Sequence, residues 1–128
     1  MESSLILAVW RTGGTGALTD LLAEDVTFSS PVADYHGRGN AAHMLGLIAT
    51  VLEDVAPVRS WGDDGREWLS AFTARVDDGE LQGMLREERG PAGKLVQVTL
   101  FLRPYPVLRV AIAKMRQRLA DSPLPPTA

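Results

Sequence analysis

The sequence of 128 residues contains no cysteine and two histidines. The absence of cysteine excludes disulfides, thiolate nucleophiles and cysteine-ligated zinc, and it is typical of a reducing compartment. No stretch approaches the ~18 consecutive apolar residues of a membrane-spanning helix. The opening segment, MESSLILAVWRTGG, has an acidic flank and too short an apolar run for a signal peptide. We therefore expect a cytoplasmic protein without a membrane partner.

Excess positive charge is also missing, since the formal net charge is −3. A negative chain gives no electrostatic reason to expect a nucleic-acid partner. Hydrophobic residues make up 45% and charged residues 23%, which is typical of a globular domain with its own core. We expect one domain over residues 1–121 and a flexible, proline-rich tail over residues 122–128, SPLPPTA.

The second half of the chain alternates strand-like runs with turn signals. Two Asp-Asp-Gly triplets, at 63–65 and 77–79, are typical of hairpin turns. A longer loop begins at Gly90. These signals predict an antiparallel meander of four strands, over residues 55–62, 66–76, 80–89 and 94–103.

Alternation along the last of these strands separates two faces. Val98, Leu100 and Leu102 predict a face that packs on the core. The opposite face, with Gln97, Thr99 and Phe101, is of mixed polarity. Such a face often packs against another subunit, so we expect a homodimer through this outer side of the sheet.

The first half of the chain is predicted to be mostly helical. Ser3 or Ser4 caps a short helix that ends near Trp10, and a second short helix follows the glycines at 13, 14 and 16. Asn40 is the predicted N-cap of a longer helix. In this half we predict a helix over 16–23, a strand over 26–32 and the longer helix over 40–53. A further helix, over 107–120, is predicted after the meander. Together with the meander they predict an α+β fold.

Three short motifs then resemble a known family. The run LLAEDVTF at 21–28, the triplet Ser30-Pro31-Val32, and Gly37-Arg38-Gly39 ahead of a helix are similar to the nuclear transport factor 2-like superfamily, in its SnoaL-like domain family. The resemblance implies a cone-shaped α+β fold, in which a curved antiparallel sheet wraps on the N-terminal helices and encloses an apolar pocket. It also implies a homodimer. The helix at 107–120 is an addition at the C-terminus.

The residues of the known catalytic sites in this family are largely replaced. In the ketosteroid isomerases, a base, a tyrosine and a protonated acid cooperate; here the matching positions hold Ser30, Ile6 and Leu85. A serine hydroxyl is no base near neutral pH unless another base activates it. The acids lie mainly in turns or near strand ends, as at Glu87 and Glu88, so no ionisable side chain is expected in the interior. Whether the protein is an enzyme is left open.

The predicted pocket is almost entirely apolar, with one hydroxyl. Its ten residues are Phe28, Ser30, Met44, Ile48, Phe72, Ala74, Leu85, Val98, Leu100 and Leu102. The catalytic residues are unknown, and Asp34 with His36, in the loop after the first strand, are the candidates. An aspartate beside an imidazole can raise its pKa.

Two further patterns have simpler interpretations. Residues 12–18, TGGTGAL, imitate a dinucleotide-binding loop, but Thr19 replaces the third glycine and no strand–helix–strand unit follows. His36 and His43 have no partner at metal-ligand spacing. We therefore expect no cofactor and no metal.

Three functions remain open from the sequence. The first is a SnoaL-like homodimer that binds a small apolar molecule in its internal pocket. The second is an enzyme of the polyketide cyclase or isomerase type that uses Asp34 and His36. The third is a non-catalytic dimeric scaffold whose pocket is filled by its own side chains.

Overall fold

One curved sheet of six strands forms the framework of the structure, a computed structural model that describes residues 4–63 and 65–124. Four α-helices and one short 3-10 turn, at Thr15–Ala17, complete this part of the chain. The helices are α1 (Leu5–Thr12), α2 (Leu18–Leu21), α3 (Arg38–Val51) and α4 (Tyr105–Asp121). The strands are β1 (Leu22–Ser29), β2 (Asp34–His36), β3 (Glu53–Asp63), β4 (Glu67–Val76), β5 (Gly79–Arg89) and β6 (Leu95–Arg103).

The sheet has the strand order β2-β1-β6-β5-β4-β3. The predicted meander is confirmed, because β3 to β6 pair antiparallel in sequence order. The expectation of an antiparallel sheet is wrong at one place, since β1 pairs parallel with β6. The sheet is therefore mixed and open rather than a closed barrel. The α+β fold class and the added C-terminal helix are confirmed.

The core lies between the inner face of the sheet and the helices α1 and α3. Along β4 every second residue is buried, from Trp68 to Val76. Phe72 lies opposite Gly83 on β5, and a Cβ atom at Gly83 would overlap the Phe72 ring. Trp10 of α1 packs edge-on against the same ring, with 5.9 Å between the ring centroids. The bulky ring of Phe72 therefore depends on a glycine beside it.

Several element boundaries differ from the prediction. The first strand spans 22–29 rather than 26–32, and Pro31 lies in the turn that follows it. That turn leads into β2, a three-residue edge strand that alternation could not reveal. α3 begins at Arg38 after Gly37, whose φ of 91° suits glycine, so Asn40 lies inside the helix instead of capping it.

The two ends of the chain agree with the sequence where they are described. Ser4 caps α1, because its Oγ accepts a hydrogen bond of 2.9 Å from the Leu7 amide. α4 carries Pro106 in its first turn and ends at Asp121. The predicted tail lies partly outside the described residues, which end at 124, and the turn at 63–65 includes residue 64, which is also outside them.

Candidate ligand-binding cavity

A cavity of about 220 Å³ lies between α3, α4 and the end of β6. Its wall is apolar apart from the side chains of Ser30, Tyr35 and Arg116. The lining residues are Ser30, Pro31, Val32, Tyr35, Met44, Ile48, Val51, Leu52, Leu100, Leu102, Leu108, Ala111, Ile112, Met115, Arg116 and Leu119.

Simple periodicities bring these side chains together. On β6, Leu100 and Leu102 point to the same face, because side chains of a strand alternate. On α3, Met44, Ile48 and Val51 recur at helical spacing and face the sheet. The apolar line of α4 then covers the end of the layer formed by α3 and β6, and α4 as a whole supplies six of the lining residues, five of them apolar. The added helix is therefore a wall of the cavity.

Ser30 lies in the turn after β1, and the turn itself engages its hydroxyl. The Oγ accepts hydrogen bonds from the amides of Val32, at 3.2 Å, and Ala33, at 3.1 Å. It also donates to the carbonyl oxygen of Ala33 at 3.0 Å. Ser30 therefore shapes the wall of the cavity more than it offers a free polar group.

Tyr35 and Arg116 approach the cavity from two different elements. The Tyr35 ring stacks on buried Phe28, with 6.0 Å between the centroids and 22° between the ring planes. Arg116 extends from the exposed side of α4 and lies at the cavity wall. With Ser30, these two residues are the polar members of a wall that is otherwise hydrocarbon.

The described part of the wall contains no carboxylate and no imidazole. General acid–base catalysis requires a titratable group within hydrogen-bond reach of the reacting atom. The Tyr35 phenol and the Arg116 guanidinium can donate hydrogen bonds to a bound molecule. The geometry is suited to holding a molecule and poorly suited to moving its protons.

Five of the ten predicted pocket residues line this cavity, and five are packed in the core. Phe28, Phe72, Ala74, Leu85 and Val98 are all buried but do not reach the cavity wall. Trp10 fills the space beside Phe72, and its Nε1 donates a hydrogen bond of 3.0 Å to the Leu45 carbonyl oxygen. The residues that line it are Ser30, Met44, Ile48, Leu100 and Leu102.

The two candidate catalytic residues lie outside the cavity. Asp34 and His36 are exposed on β2, and Tyr35 between them lines the cavity wall. Because side chains alternate along a strand, the two candidates point away from the face that carries Tyr35. His36 Nδ1 lies 3.2 Å from the Thr27 hydroxyl on the neighbouring strand. The structure does not bring this pair to the pocket.

The second histidine links two helices. His43 Nε2, on α3, lies 2.6 Å from the carbonyl oxygen of Ser122, just beyond the end of α4. Arg118 of α4 also donates to the Thr50 hydroxyl of α3 at 3.2 Å. These polar contacts hold α4 against α3 and so keep the cavity wall in position.

Glu87 corrects the expectation of an interior free of ionisable side chains. It is completely buried on β5. Its carboxylate accepts hydrogen bonds from the Ser4 hydroxyl and from the amides of Leu5, at 3.0 Å, and Ile6, at 3.4 Å. The sequence could have revealed this burial, because residues two positions apart on a strand point to the same face, and Glu87 is two positions from the inward-facing Leu85.

The environment of Glu87 explains how a buried acid is tolerated. Burial raises the pKa of the Glu87 carboxyl above its ordinary value of 4.5, whereas hydrogen bonds from Ser4, Ile6 and Leu5 and the charge of Arg89 oppose that rise. The carboxylate also lies at the positive end of the α1 dipole. Glu87 pairs across the sheet with Val98 and does not line the cavity, which lies beneath Leu100 and Leu102. Its geometry is that of a helix cap.

The outer sheet face is defined here by Val58, Trp61, Leu69, Met84 and Phe101. The side chains of Val58, Trp61 and Phe101 on this face are exposed to solvent. An open groove runs beside Val58, Met84 and Phe101. Of the residues predicted for a dimer contact, Gln97 donates hydrogen bonds to the hydroxyls of Ser29, at 3.1 Å, and Thr99, at 3.0 Å. Phe101 is largely exposed and dominates this face.

Within residues 4–63 and 65–124, no group of three or more histidine, aspartate or glutamate side chains could hold a metal ion. None of the helices in this part of the chain is long and apolar enough to cross a membrane.

Comparison with known proteins gives matches among solved structures. No protein-family model matches the sequence. No curated protein matches it either.

Three solved structures illustrate the likeness. An uncharacterised bacterial protein with a cystatin-like fold from Silicibacter pomeroyi superposes with a TM-score of 0.86 at 24% identity, over 91% of this chain and 84% of that chain. A steroid delta-isomerase from Pseudomonas aeruginosa superposes with a TM-score of 0.79 at 28% identity, over 94% of this chain and 96% of that chain. An NTF2-like protein of unknown function from Cytophaga hutchinsonii superposes with a TM-score of 0.64 at 11% identity, over 84% of this chain and 99% of that chain.

These matches agree with the resemblance inferred from the sequence motifs. The likeness in fold extends over most of the chain. A shared fold leaves the activity open, because this architecture supports unrelated functions. The chain therefore has the fold of the nuclear transport factor 2-like proteins.

Proposed function

We propose that the protein binds a small apolar molecule in the cavity between α3, α4 and β6, and that it does so as a homodimer. The observation that carries the proposal is a hydrocarbon-lined cavity whose described wall has no acid or imidazole. Burial of apolar surface would supply most of the affinity, at about 25 cal/mol per Å².

The volume limits the size of the ligand. An engineered cavity of about 150 Å³ accommodates benzene, and pockets for drug-sized ligands range from roughly 300 to 1,000 Å³. At about 220 Å³, this cavity lies between the two. A single or fused ring, or a medium-length aliphatic chain, fits that space, whereas a full four-ring steroid requires α4 to move outward.

The enzymatic alternative has weaker support. The similarity to a steroid delta-isomerase is the observation that favours a proton-transfer reaction. However, the sequence resemblance matches Ser30, Ile6 and Leu85 to the positions of the groups that such chemistry uses, and Asp34 and His36 lie outside the cavity. An enzyme that used these two residues would lose turnover in the Asp34→Ala and His36→Ala variants, while a binding protein would keep its affinity in both.

The outer sheet face supports the homodimer. Val58, Trp61 and Phe101 are 65%, 43% and 54% exposed, which is unusual for side chains of this size on one sheet face. The same face carries both signs of charge, with Arg86 between Glu67 and Glu88. A second copy, related by a two-fold axis, presents the same apolar and charged groups and can complement both.

The cavity experiment uses a matched pair of variants on one helix. Ile112→Phe adds bulk at a residue of the cavity wall, and Ala113→Phe adds it at the neighbouring exposed position. Thermal shift and calorimetry with naphthalene, octanol and larger steroids should show binding of the small probes to the wild type and to Ala113→Phe, and none to Ile112→Phe.

Two results would contradict the proposal. If no small apolar probe binds the wild type, the scaffold interpretation replaces it. If Ile112→Phe binds the probes as tightly as Ala113→Phe does, the ligand lies elsewhere. Circular dichroism of both variants separates lost binding from lost folding.

A further inference from the structure

The cation at the cavity wall, Arg116, has no ion-pair partner among the residues that the structure describes. The ion pairs among residues 4–63 and 65–124 join Arg86 to Glu67 and Glu88, and Lys114 to Asp77. None of them involves Arg116, which is the one charged side chain on the described cavity wall. Its guanidinium is therefore available to a molecule in the cavity.

The other basic residues near it on α4 are directed elsewhere. Lys114 lies 2.9 Å from the Asp77 carboxylate, in the turn between β4 and β5. Arg118 donates to the Thr50 hydroxyl of α3. Arg109 is exposed and does not line the cavity. Arg116 is thus the basic residue of this helix that reaches the pocket.

The chemistry of arginine indicates which polar group it would take. A guanidinium presents planar, paired donors that match the two oxygens of a carboxylate, and such charge-assisted bonds are about twice as strong as neutral ones. The Tyr35 phenol also lines the cavity and is a further hydrogen-bond donor. The protein carries a net charge of −3. A single cation balances the charge of a monoanion.

We propose that the ligand of this cavity is an apolar monocarboxylate, with its hydrocarbon body between α3 and β6 and its carboxylate at the mouth, against Arg116. This inference rests on the proposed binding function and specifies its ligand class. The volume of about 220 Å³ limits the body to a medium aliphatic chain or a small ring system. Arg116 would orient the molecule and distinguish an acid from the matching alcohol.

The test compares probes with the same hydrocarbon body and different head groups. Octanoate, octanol, octylamine and octyl phosphate are titrated into the full chain by calorimetry at neutral pH. We expect octanoate to bind about tenfold tighter than octanol, and octylamine to bind more weakly than octanol, because Arg116 repels the ammonium group. Raising the salt concentration should narrow the difference between octanoate and octanol.

Two arginine variants on α4 provide the comparison. Arg116→Gln should lower octanoate affinity to that of octanol. Arg109→Gln removes the same charge from an exposed position of the same helix and should leave the preference for octanoate intact. Loss of the preference in Arg116→Gln alone supports a direct contact rather than a general field of the basic helix.

The outcomes separate this inference from the binding function itself. Equal affinity of the wild type for octanoate and octanol overturns the carboxylate assignment and leaves the apolar pocket standing. Equal effects of the two arginine variants overturn it as well, as does tighter binding of octyl phosphate than of octanoate. If neither octanoate nor octanol binds the wild type, both proposals fail.

Discussion

Ser4 and Glu87, which are 83 positions apart in the sequence, meet at the N-terminus of α1, where the Ser4 hydroxyl donates a hydrogen bond to the buried Glu87 carboxylate. Ser4 is also the N-cap of that helix, and Glu87 accepts from the next two backbone amides. The first helix is thus fastened to the centre of the sheet by one carboxylate. This contact leads to the first two predictions.

Stability should depend on pH through Glu87. Because burial raises the pKa of Glu87 in the folded state, the native protein binds its proton more tightly than the unfolded chain does. The contribution of this group to stability is therefore fully present below about pH 4.5, the ordinary value, and is lost as pH rises through the higher folded pKa.

Urea titrations of the wild type and Glu87→Gln across that pH range check this prediction. The free energy of unfolding of Glu87→Gln, relative to wild type, should improve as pH rises, because the variant has no proton to release. The exposed Glu80→Gln on the same strand serves as the control and should show no such trend. Parallel pH curves for wild type and Glu87→Gln would show that the pKa of Glu87 is not raised.

Removing the hydroxyl of Ser4 should destabilise the protein. Ser4→Ala removes the cap of α1 and one donor to Glu87, so we expect a loss of about 1–3 kcal/mol in the free energy of unfolding. Thr12→Ala, at the exposed C-terminal end of the same helix, should cost less than about 0.5 kcal/mol. Chemical denaturation measures both losses. Similar losses in the two variants would mean that the contact of Ser4 with Glu87 adds no measurable free energy of unfolding.

Two glycines should respond oppositely to alanine. At Gly83 the added methyl overlaps the Phe72 ring, so Gly83→Ala should cost about 1–3 kcal/mol. At Gly39, inside α3, nothing lies within 4 Å of an added Cβ, so Gly39→Ala should stabilise by about 0.5–1 kcal/mol. Thermal unfolding of both variants, with Phe72→Leu combined with Gly83→Ala as a partial rescue, tests the assignment. A neutral Gly83→Ala would contradict it.

The proposed dimer should depend on the outer sheet face. Phe101→Glu places a charge at its centre and should weaken self-association by at least about thirtyfold, as expected for a residue that contributes about 2 kcal/mol or more. Val110→Glu places the same charge on an exposed position of α4 and should leave association unchanged. Sedimentation velocity over a range of concentrations measures both. A wild type that stays monomeric throughout would overturn the dimer proposal.

Much of the fold could be predicted because its signals are local. The turns around Asp77-Asp78-Gly79 and Gly90 limit the strands of the meander, and the alternation through Phe72 and Leu100 indicates their inner face. The apolar spacing of α3 and α4 identifies both helices within a few residues. Boundaries were less accurate at Asn40 and Pro31, where backbone hydrogen bonds of β2 and the conformation of Gly37 determine where each element ends.

The cavity could be predicted less completely than the fold. Periodicity identifies Leu100 and Leu102 as inward-facing, but it cannot distinguish an inward residue that packs against Trp10 from one that borders empty space. That difference depends on how α1 and α4 dock, and docking is a property of the whole molecule. The acids were assigned to the surface because they lie near turns, and this assignment was wrong for Glu87. The alternation of side chains along β5 places Glu87 on the same inward face as Leu85.

The sequence by itself determined the order and type of the main elements and the apolar faces they bury, because short-range periodicity and turn chemistry encode these features. Tertiary structure alone decided that β1 runs parallel to β6, that Arg116 reaches the cavity while Asp34 and His36 do not, and that Glu87 meets Ser4. These features join residues far apart in the chain, and only the packing of helices on the sheet brings such residues into contact.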